Sequence, residues 1–228
     1  MKKYIYLLLA AVGVLFASAC HKITTEDQSW VTYYPEIILE GDNPLVLSLG
    51  ETFTEPGYSA TLFGNDVTSE VVVSSEVNTA TFGVYSIEYA TVNADGYPWS
   101  VVRDVYVLNP GHIDNLYKVK CEVGTTKYEF TLPVTKVSGD TYHIGDIMGG
   151  FYSLGKYPGY EAYGYDFWGE ADFTINPDNS ITLGTVGDWF FLTSYDYTTF
   201  VGTYDPVKGT LSWTIEGSFK VTLTPYSI

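Results

Sequence analysis

Two cysteines, Cys20 and Cys121, are all that the 228 residues contain. Two cysteines allow one disulfide at most, so the fold has to stand on its apolar core. Cations are equally scarce, with 11 Lys and Arg against 27 Asp and Glu. Phosphate recognition is built on Lys and Arg, so a formal net charge of -16 argues against a nucleic-acid partner; the same charge repels anionic lipid headgroups. Histidine is limited to His21, His112 and His143, which are too dispersed for a transition-metal centre. No stretch keeps a helical period, and no nucleophile elbow or EF-hand loop is spelled out. These absences leave no catalytic residue, no metal site and no cofactor to assign.

Long apolar runs are also missing, with one exception at the beginning. Lys2 and Lys3 precede an uncharged run from Tyr4 to Phe16, then the small residues Ala17, Ser18 and Ala19, then Cys20. A spanning helix needs about 20 apolar residues, and this run stops short, so residues 1–19 are expected to be a secretory signal peptide. Removing them takes away two lysines and no acid, which moves the net charge from -16 to -18. The segment from His21 to Ser29 has few apolar residues and reads as part of a tether over residues 20–32.

Strand signals dominate from Tyr33 onward, in short β-branched and aromatic runs punctuated by Gly, Pro, Asn and Asp. The expected fold class is all-β: an immunoglobulin-like sandwich over residues 33–110, then a second antiparallel sandwich or barrel over residues 111–228. In the first domain, Tyr85, Ile87 and Tyr89 fall on one strand face and Ser86 and Glu88 on the other. A tyrosine two residues before a core position is the tyrosine-corner pattern of immunoglobulin-like sandwiches. Arg103, Val105 and Val107 alternate along a closing strand. In the second domain, strands are expected at 116–123, 126–137, 141–144, 171–175, 180–183, 209–215 and 218–224, with Leu211, Trp213 and Ile215 facing inward. Cys121, inside the first of these, reads as a small buried hydrophobe.

Aromatic residues crowd with glycines between Gly149 and Trp168, and a second aromatic group spans Trp189 to Tyr197. Aromatic rings dominate β-cores, and glycines among them mark bends, so core or loop packing is the bland reading. The functional one is a sugar-binding platform: exposed rings stack on C–H faces while carboxylates accept hydroxyl hydrogen bonds. Its candidate residues are Trp168, Trp189, Tyr163, Tyr165, Tyr195, Glu161 and Asp166, with Asp188 a further possible acceptor. A glycoside hydrolase using paired carboxylates is the catalytic rival, and solvated loop acids are the ordinary explanation for them.

Several of these stretches carry a family resemblance. Ala17-Ser18-Ala19-Cys20 resembles the lipobox of bacterial lipoproteins, with Ala17 in place of the usual leucine. The resemblance implies diacylglyceryl transfer to Cys20 and cleavage before it. Each buried methylene contributes about 0.8 kcal/mol, so two or three chains hold firmly. Glu26-Asp27 is similar to the acidic surface-export signal of gut Bacteroidetes lipoproteins, which implies an outer-membrane, cell-surface location. The runs ILEGDNPLVLSLGETFTEPGYSA, GVYSIEY and RDVYVLNP resemble the small immunoglobulin-like domains of Bacteroidetes surface proteins. The stretches DIMGGFYSLGKYPGYEAYGY, INPDNSITL and GTYDPVKGTLSW are similar to the C-terminal domain that follows them in such lipoproteins. The family implies a spacer or adhesion module. Its association with polysaccharide uptake makes a polysaccharide the implied partner, and another envelope protein the alternative.

Mass spectrometry of the native protein is expected to find the chain beginning at Cys20 and acylated there. A Cys20→Ser variant should lose that mass and the membrane association; an unmodified residue 20 in the unsubstituted protein would remove the anchor.

Overall fold

The computed structural model describes residues 31–187 and 199–227, and these contain fifteen strands. The leader, Cys20 and most of the tether lie outside the described residues, as do Asp188, Trp189 and Tyr195. No helix among the described residues is long and apolar enough to cross a membrane.

The first seven strands are β1 (Glu36–Leu39), β2 (Leu45–Ser48), β3 (Tyr58–Leu62), β4 (Asn65–Asp66), β5 (Val72–Ser75), β6 (Gly83–Val92) and β7 (Pro98–Leu108). They form two facing sheets, β1-β3-β4 and β2-β7-β6-β5, with β2 running parallel to β7. Ile37, Leu47, Ala60, Ile87, Tyr89 and Val105 fill the space between the sheets. Period-two alternation on β6 sends Ile87 and Tyr89 inward and leaves Ser86 and Glu88 exposed. The tyrosine corner is present: the Tyr85 hydroxyl donates to the Thr81 carbonyl at 2.8 Å.

The sandwich also buries a charge. Arg103, fully buried on β7, donates to the carbonyls of Asp42 and Glu40, to Gly57 at 3.2 Å and to the Tyr89 hydroxyl at 3.3 Å. Its guanidinium also lies 3.3 Å from a Glu55 carboxylate oxygen. Residues 40–44 are where the chain leaves one sheet as β1 and joins the other as β2. The planar fork of Arg103 therefore ties down the carbonyls of a sheet-switching bend that no ladder can satisfy. Burial pushes the Tyr89 phenol up to about 12, so it remains the neutral partner.

The remaining strands are β8 (Asn115–Val123), β9 (Thr126–Ser138), β10 (Thr141–Ile144), β11 (Ala171–Ile175), β12 (Ser180–Val186), β13 (Val201–Asp205), β14 (Thr210–Ile215) and β15 (Phe219–Pro225). Each pairs antiparallel with the next, and β15 pairs with β8, which closes an eight-stranded barrel. The barrel alternative of the sequence reading is thus the one realised. β13 was not expected from the sequence: Gly202 interrupts its short apolar pattern, and its pairing with β12 is limited to two positions. Leu211, Trp213 and Ile215 face the bore as expected.

Register fixes the two ends of the barrel. The turns at 139–140, 176–179 and 206–209 lie at the end where β8 begins, next to the first domain. The turns at 124–125 and 216–218 lie at the far end. Both long connections, 145–170 and 187–200, leave from that far end. The junction between domains is packed: the Tyr106 and Tyr226 rings meet edge-on at 5.3 Å, and the Tyr226 hydroxyl shares a 2.8 Å hydrogen bond with Thr131. The Asn109 amide donates to Asn115 Oδ1 at 2.8 Å.

Removing one partner of a buried, hydrogen-bonded charge costs about 3–5 kcal/mol. Arg103→Ala should therefore lower the urea midpoint of the first domain by that equivalent and leave the barrel transition in place; an unchanged first transition would contradict this role.

Candidate functional site

An eight-stranded barrel has a bore just wide enough for side chains to fill. Here the connection that follows β10 supplies much of the filling. Ile147, Met148 and Phe151 join the barrel core, and the Trp213 indole N–H donates to the Ile147 carbonyl at 2.8 Å. Residues Phe151–Lys156 form a π-helical turn, with Tyr157 N–H donating to the Tyr152 carbonyl at 2.9 Å.

Glycines permit this approach. A Cβ on Gly149 would stand 2.8 Å from Val119 Cγ1, and one on Gly155 would stand 2.6 Å from the Tyr128 ring. The plug is stitched by Asp146, whose side chain is fully buried. Its carboxylate accepts from Met148 N–H at 2.8 Å, Gly150 N–H at 3.0 Å and the Ser153 hydroxyl at 2.9 Å. Burial outweighs these bonds and pushes the Asp146 carboxyl up to about 6.

The second half of the same connection forms the far tip. Gly159 and Gly164 adopt left-handed backbone on either side of a single 3-10 turn, Tyr160–Tyr163. The candidate residues separate here. Tyr163 is 77% exposed and Tyr165 40%, and Tyr160 joins them at 42%. Trp168, expected to stand clear, instead rests its half-buried ring against the barrel core, and its indole N–H donates to Glu161 at 2.9 Å. Asp166 accepts from Trp168 N–H at 2.8 Å. Phe167, buried beneath the tip, stacks on Tyr157 at 4.8 Å. Of the aromatic stretch, then, the first half is core and only the tyrosine tip faces solvent.

Two groups carry chemistry elsewhere. His143 and Asp172 are directly paired on β10 and β11, with Nδ1 and Oδ1 2.9 Å apart on the outer wall. Their pairing escaped the sequence because 29 residues separate them, and only the strand register brings them together. Cys121 is buried, and burial pushes its thiol up to about 12, which makes it a poor nucleophile. Among the described residues no group of three or more His, Cys, Asp or Glu gathers as a metal site.

Comparison with known proteins places this architecture. Residues 37–107 match the family of bacterial surface protein Ig-like domains, and residues 112–225 match a family described as a C-terminal domain. Among solved structures, the lipoprotein BT2262 from Bacteroides thetaiotaomicron is 27% identical, with a TM-score of 0.53 over 83% of this chain and 98% of that one. The chain belongs to the family of this C-terminal domain, joined here to a bacterial surface protein Ig-like domain. CBM51-2 in complex with GlcNAc and INT domains from Clostridium perfringens ZmpB is 18% identical over 78% of this chain and 29% of that one. Its TM-score of 0.28 is too low to bear on a ligand. No curated protein matches the chain.

The fold itself names no chemistry, and neither matched family description names an activity. Asp146 was missed because an aspartate followed by an apolar run and glycines looks like a loop acid. The signal available was its place ahead of the Gly149-Gly150 pair, with only Ile147 and Met148 between.

The folded-state value of Asp146 lies above its ordinary value of 3.8. The stabilisation linked to it is therefore complete below about pH 4 and is lost as pH rises through about 6. The barrel transition should fall by several degrees between pH 5 and pH 7.5, and Asp146→Asn should remove that fall while lowering the transition at both values. Equal pH slopes in the two proteins, followed by calorimetry, would contradict the assignment.

Proposed function

We propose that this lipoprotein is a non-catalytic, lipid-anchored accessory of a polysaccharide-uptake system at the outer membrane surface, and that it binds carbohydrate chains at the barrel tip. The observation that carries this reading is the placement of Tyr160, Tyr163 and Tyr165, exposed together in the connection that leaves the far end of the barrel. Tyr34, at the start of the described fold, packs on Trp99 at 5.2 Å, where β7 begins, whereas the barrel follows the other end of β7. The path along β7 and then β8, at about 3.3 Å per residue and allowing for barrel tilt, is on the order of 50 Å long. A surface reached by an extracellular polymer belongs at the end of such a path. Tyrosine presents a flat apolar face and a polar edge, which suits sugar rings. Glu161 and Asp166 are occupied in holding Trp168, which supports a binding role over acid-base chemistry.

A second reading, a structural or adhesion subunit docking to another envelope protein, draws on the first domain. Val72, Val84 and Val102 are 69%, 47% and 46% exposed, and strand pairing sets all three on the outer face of one sheet. Apolar side chains on an outer sheet face are a feature of interaction surfaces.

Tyr163→Ala and Tyr165→Ala should each weaken retention on polysaccharide affinity gels about tenfold, roughly 1.4 kcal/mol, with melting unchanged. Loss of partner capture on Val84→Glu or Val102→Glu, with no polysaccharide retention by any variant, would favour docking. Release of reducing ends by the pure protein, lost on Glu161→Gln or Asp166→Asn, would instead establish a hydrolase.

A further inference from the structure

At the opposite end of the barrel from the tip, a groove of about 870 Å³ opens beside the domain junction. It is walled by the connector after β7, by the 206–209 turn and by the end of β15. Ligand sites favour domain junctions and the mouths of barrels, at about 300–1,000 Å³, and this groove is at both. Three tyrosine rings line it, and two are pinned. Tyr117 donates to the Ile113 carbonyl at 2.9 Å, and Tyr226 is held by Thr131 and by the Tyr106 ring. Tyr204, half-buried on β13, is the third. Rings fixed in advance lose little entropy when a ligand settles on them.

The charge of the groove runs against the rest of the molecule. In a chain with 27 acids, no Asp or Glu among the described residues lines it, whereas Lys208 and His112 do. Two acids flank the lining, Asp114, whose charge acts on Tyr117, and Asp205 before the 206–209 turn, and both are already hydrogen-bonded. Asp205 Oδ1 accepts from the N–H groups of Val207 and Lys208, and Asp114 accepts from the Asn109 side-chain amide. The Lys208 ammonium lies 3.8 Å from Asp205 Oδ2, a loose pair on exposed side chains that leaves the cation available at little cost. Lys118 adds a second positive charge behind the wall, 5.7 Å from the centre of the Tyr226 ring.

We propose that this junction groove binds a small ring-bearing carboxylate, its ring against Tyr204 and Tyr226 and its anion toward Lys208. The site is separate from the tip and does not depend on the carbohydrate reading.

The test uses three probes that share one ring and differ in charge: 4-hydroxyphenylacetate, its neutral amide and tyramine. Their affinities for the full folded chain are measured by NMR titration of the Gly111 and Gly209 amides. The carboxylate should bind at least tenfold tighter than the amide, and tyramine more weakly than either. Tyr204→Ala should abolish all binding. Lys208→Glu, on an exposed turn where folding is not at risk, should reverse the order of carboxylate and tyramine. No shift at millimolar carboxylate, equal affinity for the three probes, or an unchanged order in Lys208→Glu would each overturn the proposal.

Discussion

The bore of an eight-stranded barrel has to be filled, and in this protein part of the filling arrives as a length of main chain. Backbone brought into a core carries N–H groups that need partners there. The Asp146 carboxylate supplies them, taking up two amides and one hydroxyl of the incoming segment at 2.8 to 3.0 Å. That bond set dictates much else. It requires glycine where the segment touches β8 and β9, it brings Ile147 within reach of the Trp213 indole, and it starts the π-helical turn that carries the chain back out. The tip exists as a shaped surface because its base is bolted into the barrel.

Arg103 solves a similar problem in the first domain. A strand that leaves one sheet for the other exposes carbonyls to the core at the crossing, and a single buried guanidinium collects those of Glu40 and Asp42 together with that of Gly57 just before β3. The two domains thus share a strategy: a buried charge is spent on irregular backbone, and regular strands surround it. Because Tyr106, Thr131 and Tyr226 pack the junction, the two units are held in series.

Much of this architecture was legible in the residues. Period-two alternation located seven of the eight barrel strands, and the spacing of Tyr85 and Ile87 announced the tyrosine corner. What escaped reading depends on contacts between segments distant in sequence. Arg103 alternates with Val105 and Val107, a hint that it faces inward, yet nothing local shows that Glu55 and three carbonyls await it. The glycines among the aromatics were ambiguous for the same reason: Gly155 has no special backbone angle, and only the Tyr128 ring facing it explains why no side chain is allowed there. The tip was partly visible, since Tyr163 and Tyr165 do face solvent. Trp168 did not follow, because a large ring at the rim of a barrel gains more from resting on the core than from standing in water.

Residues 146–155 are a permanent part of the barrel core. Native-state hydrogen exchange tests this directly. The amides of Met148, Gly150 and Leu154 should exchange as slowly as those of Val119 and Cys121 on β8, through global unfolding of the barrel. If they exchanged within minutes while the strands stayed protected, the segment would be a lid over an open bore, and the picture of a filled scaffold carrying a rigid tip would fail.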